Sequence, residues 1–123
     1  MILSEYVLSV KTLIRHAAEL RKSVLFSELH SKFPERTPPA NVYDTLEAAC
    51  AELALWSEAI YSVVLAKKST GLPGDGFFDI FRNHQSEEYK AIAGDIGPLH
   101  LTQDQREKMV ALEKSRVYAH AMP

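Results

Sequence analysis

Whether the chain carries a sheet beside its helices turns on Ile60-Tyr61-Ser62-Val63-Val64-Leu65-Ala66-Lys67-Lys68-Ser69-Thr70-Gly71-Leu72-Pro73-Gly74-Asp75-Gly76. Ile60 to Leu65 is rich in β-formers, although Trp56, Ile60, Val63 and Val64 also fit a continued helix. The strand is preferred. A helix from Pro38 to Lys68 would be about thirty residues long, above the usual ~8–20, and β-branched residues suit its last part poorly. Thr70 to Gly76 reads as a turn, with Pro73-Gly74 favouring type II geometry. Phe77 to Arg82 then admits two readings, a returning strand or a helix capped by Asp75.

Upstream, Leu3, Tyr6, Val7, Val10, Leu13, Ile14 and Ala17 recur at steps of three and four, which predicts an amphipathic helix over Ser4–Leu20. Ser4 is its expected cap, and Arg21-Lys22 suit the negative end of the helix dipole. Ser23 to Phe26 reads as a short extended piece. Ser27 to Phe33 then reads as a short helix burying Phe26, Leu29 and Phe33 and stopped by Pro34. Thr37 as cap and Pro38 at the first helical position predict a third helix with Val42, Leu46, Ala49, Cys50 and Leu53 on its buried stripe.

Downstream, Ser86 is expected to cap a short helix through Tyr89 and Ile92 that ends at Gly94. Thr102-Gln103-Asp104-Gln105 has the form of a capping box, opening a helix to about His120 with Met109, Val110, Leu112, Val117 and Tyr118 on an irregular apolar face. There is no internal repeat and no linker long enough to divide the chain.

The 123 residues, 46% hydrophobic and 24% charged, suit one domain. Fourteen Lys and Arg against sixteen Asp and Glu give a net charge of −2, which lacks the basic excess of many nucleic-acid binders. The one cysteine, Cys50, rules out an intrachain disulfide and fits a reducing compartment. No apolar run approaches the ~18 residues of a membrane span, and Met1 to Glu5 lacks the pattern of a signal peptide. A cytoplasmic protein with no membrane partner is the expectation.

The order helix, short strand, Phe26-Ser27-Glu28-Leu29 helix, Pro-led helix, β-rich segment and glycine turn, over residues 4–82, resembles a winged helix-turn-helix. The stretch from Tyr61 to Phe78 also resembles the box of a group of small uncharacterised bacterial proteins, Lys-x-Thr-Gly-x-Pro-Gly-x-Gly-Phe, here Lys68 to Phe77. That group has no activity to carry over. Together these resemblances imply an α+β, mainly helical fold. Its winged-helix-like core (4–82) carries a short β-hairpin or small sheet, and a C-terminal helical extension (83–123) completes a single domain.

A winged-helix resemblance implies a non-enzymatic module that binds duplex DNA. The expected contacts are Arg36 and Asn41 at the entry of the third helix and Lys67, Lys68 and Arg82 around the turn. Against this, the third helix carries Asp44, Glu47 and Glu52, with Glu58 beyond it, and no Lys or Arg to meet bases and phosphates. That acidic face suggests the alternative, a protein-interaction or inhibitor module. A basic patch joining Arg15, Lys67, Lys68 and Arg82 would favour DNA. A third reading makes the glycine turn a phosphate- or nucleotide-binding loop of a small enzyme, although it matches no known nucleotide motif. His16, His30, His84, His100 and His120 lack the His-x-x-x-His spacing of a metal pair. Cys50, on the apolar stripe, reads as a buried inert thiol. No catalytic, cofactor or metal residue is therefore expected. The terminal helices leave a homodimer open.

Overall fold

The computed structural model describes residues 1–122. Helix α1 (Ser4–Glu19) buries Val7, Val10, Ile14, Ala17 and Ala18 along one stripe, as its spacing predicts. Its cap is Leu3 rather than Ser4, and the Leu3 N–H donates to Thr45 Oγ1 at 2.9 Å. A threonine from a distant helix thus satisfies the amide at the entry. Strand β1 (Val24–Leu25) leads into α2 (Phe26–His30), which starts one residue earlier and ends sooner than predicted. Helix α3 (Pro39–Leu53) is shifted by one residue, with Pro38 as cap and Pro39 first in the helix. Thr37 does not cap, because its hydroxyl donates to Pro34 O at 2.6 Å.

The chain leaves α3 at Ala54, so no thirty-residue helix forms. Yet the strand expected over Ile60–Leu65 is mostly a 3-10 turn, Tyr61–Val64, and only β2 (Leu65–Ala66) is extended. Every residue from Ala59 to Ala66 is buried, with no alternation between faces. A continuous buried run looks the same in sequence whether it forms a strand or a turn. The Ile60 N–H goes to the Glu113 carboxylate at 2.9 Å and not to a ladder partner.

β2 pairs with β1 in parallel, Val24 opposite Leu65 and Leu25 opposite Ala66. Parallel strands need a long crossover, here the span containing α2 and α3. This pair is the only sheet among the described residues, so the small-sheet form of the expectation holds and the β-hairpin form does not. Phe77–Arg82 lies within α4 (Asp75–His84), with Gly74 rather than Asp75 as its cap. Phe77, Phe78 and Phe81 bury together, a helical spacing that a strand would split between two faces. The glycine turn therefore joins a strand to a helix.

Helix α5 (Ser86–Ala93) is capped by Gln85 and stops at Gly94. A 3-10 turn at Pro98–His100 precedes α6 (Gln103–His120). The Thr102 box forms as predicted: Gln105 N–H donates to Thr102 Oγ1 at 3.1 Å, and Thr102 N–H donates to Gln105 Oε1 at 2.9 Å. The described residues form a mainly helical α+β molecule of six α-helices whose core runs continuously from Val7 on α1 to Val117 on α6. No described helix is long and apolar enough to cross a membrane.

Candidate functional site: a groove beside the glycine turn

The residues after β2 build one wall of a groove. Gly71 adopts φ +71°, a conformation that favours glycine, and lets the chain reverse. The loop closes on itself: Lys67 N–H donates to Leu72 O at 2.8 Å, while Gly71 and Thr70 N–H return to Lys67 O at 2.7 and 3.3 Å. Leu72 N–H donates to Thr70 Oγ1 at 3.2 Å. Lys67, Thr70, Gly71 and Leu72 thus spend their N–H groups inside the loop and do not offer them to a phosphate.

With α3 on the other side and the first turn of α4 at its end, the loop encloses a groove of about 700 Å³. Its apolar surfaces come from Phe26, Leu46, Leu65, Phe77 and Ile80, with Tyr43, 42% exposed, against the Phe26 ring in an edge-on contact. The volume lies within the ~300–1,000 Å³ typical of small-molecule sites. Lys67, Lys68, Glu47 and Asp75 line it too. Lys67 lies along Gly74, since a Cβ there would meet its Cε at 3.9 Å, and Glu47 lies over Gly76, where a Cβ would meet its Oε1 at 3.6 Å. Neither lysine forms an ion pair with either acid among the described residues. Burial, reinforced by Asp44 and Asp79, raises the Glu47 carboxyl above the usual carboxylate range.

Ser62 also lines this groove, and its Oγ is the one buried side-chain polar atom without a hydrogen-bond partner among the described residues. In sequence it stands inside a β-rich run as one small polar residue, which gives no hint that its hydroxyl is left unpaired.

The residues expected to contact DNA come from different segments: the loop before α3, α3 itself, the glycine loop and α4. Lys67 and Lys68 flank the groove. Arg36 is exposed on the loop before α3 and lines a separate hollow with His30 and Phe33. Asn41 accepts from the Met1 amino group at 3.1 Å. Arg82 stacks over the Tyr89 ring at 5.5 Å. Arg15 lies with Lys11, Glu19, Glu52, Tyr61 and His120 around a third hollow. Of the four cations whose joining would favour DNA, Lys67 and Lys68 share one hollow, Arg15 lines another and Arg82 lies against the Tyr89 ring.

The acidic face of α3 is also partly engaged, with Asp44 on the Met1 amino group at 2.6 Å and Glu52 on Lys11 at 3.2 Å. Cys50 is fully buried, and burial, with Glu47 adding to it, pushes its thiol far above the ordinary range. Among the described residues no three His, Cys, Asp or Glu side chains gather as a metal site. Tyr61 OH and His120 Nδ1 lie 2.6 Å apart, a pairing across 59 residues that neither segment signals. Burial raises the Tyr61 hydroxyl, with Arg15 opposing the shift and Glu19 and Cys50 adding to it.

Comparison with known proteins gives no match, either to a family model, to a curated protein or to a solved structure.

Proposed function

We propose that this protein is a non-enzymatic binding module and that the groove between α3, the glycine loop and α4 is its binding surface. One observation carries the reading: a half-open groove of about 700 Å³ with apolar surfaces from Phe26, Leu46, Leu65, Phe77 and Ile80. Partly exposed apolar surface gathered in a concavity gains free energy when an apolar body covers it, at roughly 25 cal/mol per Å² removed from water. A neutral apolar dye, Nile red, tests this without help from charge. Its fluorescence should rise on binding the wild type, and Ile80→Arg, a half-exposed position, should abolish the rise while the far-ultraviolet circular dichroism is unchanged. No rise with the wild type would overturn the reading.

A second reading keeps duplex DNA as partner and treats residues 4–82 as a winged-helix-like core in which the Lys67–Gly71 loop acts as the wing. Its support is that Lys67 and Lys68 are exposed and free of ion pairs among the described residues. It predicts a complex weakened by added salt and by Lys67→Ala with Lys68→Ala. Duplex binding undetectable at low salt would remove it. It is the weaker of the two because Asn41 and Arg82 are already engaged, with the Met1 amino group and the Tyr89 ring.

A further inference from the structure

We propose that the groove takes a short zwitterionic peptide with apolar side chains, its carboxylate on Lys67 and Lys68 and its ammonium on Glu47 and Asp75. This rests on the groove being the binding surface and adds the class of ligand. The groove holds two cations and two carboxylates that make no ion pair with one another. Such a lining has no net charge, so it favours neither a simple anion nor a simple cation. A molecule carrying both signs gains at both.

Lys67 Cε lies 3.9 Å from the Cβ position of Gly74 and Glu47 Oε1 3.6 Å from that of Gly76, two residues apart at the entry of α4. The opposite charges are therefore close enough to be spanned by one small ligand. The volume exceeds what one amino acid fills and suits a ligand of two or three residues. Ser62 supplies the remaining argument, since it is 7% exposed, lines the groove and has an unpartnered Oγ. A buried hydroxyl of this kind costs free energy until something hydrogen-bonds it. A peptide amide does so once a lining side chain shifts to uncover the Oγ, which is closed to solvent in the unliganded protein, and a hydrocarbon does not.

The test uses one apolar body in four charge states: L-leucyl-L-phenylalanine, its N-acetyl form, its C-terminal amide and the doubly blocked form, titrated by calorimetry into the full-length chain. The free dipeptide should bind tightest, and each block should weaken it about fivefold, as expected for one partly exposed ion pair. Glu47→Gln with Asp75→Asn should erase the effect of acetylation. Lys67→Met with Lys68→Met should erase the effect of amidation, and Ser62→Ala should weaken all four peptides but not Nile red. Equal affinity of the free and doubly blocked forms would overturn the zwitterion assignment. Dye binding with no binding of any peptide would overturn the peptide class while sparing the groove, whereas failure of the dye itself would remove the groove reading beneath both.

Discussion

Glu113 is a carboxylate with 0% exposure, held by Ile60 N–H at 2.9 Å and by Arg116 Nε and Nη2 at 3.1 and 2.7 Å. Arg116 also reaches Glu88 at 2.6 and 2.9 Å, and these contacts raise its already high pKa further against the opposing effect of burial. Removing one partner of a buried charge network leaves the others unpaired. Glu113→Ala is expected to cost ~3–5 kcal/mol, a large part of the ~5–15 kcal/mol by which a domain is stable. Urea denaturation should show a lower midpoint with an unchanged slope, and a loss below about 1 kcal/mol would contradict the network's role. Glu47 predicts the opposite sign. Because its folded carboxyl is raised, the fold prefers the protonated form and loses stability as pH rises through that pKa. Glu47→Gln should therefore raise the thermal midpoint at about pH 7 and give no gain at about pH 3. Sequence reading placed Glu47 on an open acidic face, which is where it lies. It gave Glu113 no role, because a glutamate on an irregular helix face reads as solvated until its burial is seen.

Among the elements, α1, α3, α5 and α6 were legible because each combines a helical stripe with a stop or capping signal. The segment misread is one without a solvent face. Tyr61–Val64 is buried on all sides, so period two and period 3.6 both vanish. Phe77–Arg82 reads equally as strand or helix because the glycines before it license either, and packing of Phe77, Phe78 and Phe81 decides for the helix. The reversal before α4 depends on Gly71, whose Cβ position has nothing within 4 Å. Any penalty for filling it is consequently a backbone penalty. Gly71→Ala is expected to destabilise by ~1–2 kcal/mol, measured by thermal denaturation, whereas Gly97→Ala, also uncrowded but without positive φ, should change little. Equal losses at the two positions would refute the backbone argument.

Across the whole molecule, the last helix is tied to the middle of the chain through Tyr61 and His120. Loss of this one bond should be felt locally, since the core beneath it is apolar and continuous. Tyr61→Phe is expected to cost ~1 kcal/mol and to speed amide exchange in the final turn of α6, while the centre of α3 keeps its protection. Uniform acceleration across both helices would show that the bond supports the global fold instead. The candidate site was legible at this scale only in part. The glycine box and its two lysines pointed to the right loop, but the groove is completed by Phe26, Leu46 and Ile80, brought in from α2, α3 and α4 by tertiary packing that no local pattern encodes.

The unpaired hydroxyl of Ser62 has a consequence for how such a chain changes over generations. Selection for a sturdier fold alone would replace it readily with alanine, since nothing in the empty protein depends on its oxygen. A lineage that retains serine there would therefore be giving up stability, which is the signature expected if the groove proposed above is under selection to bind.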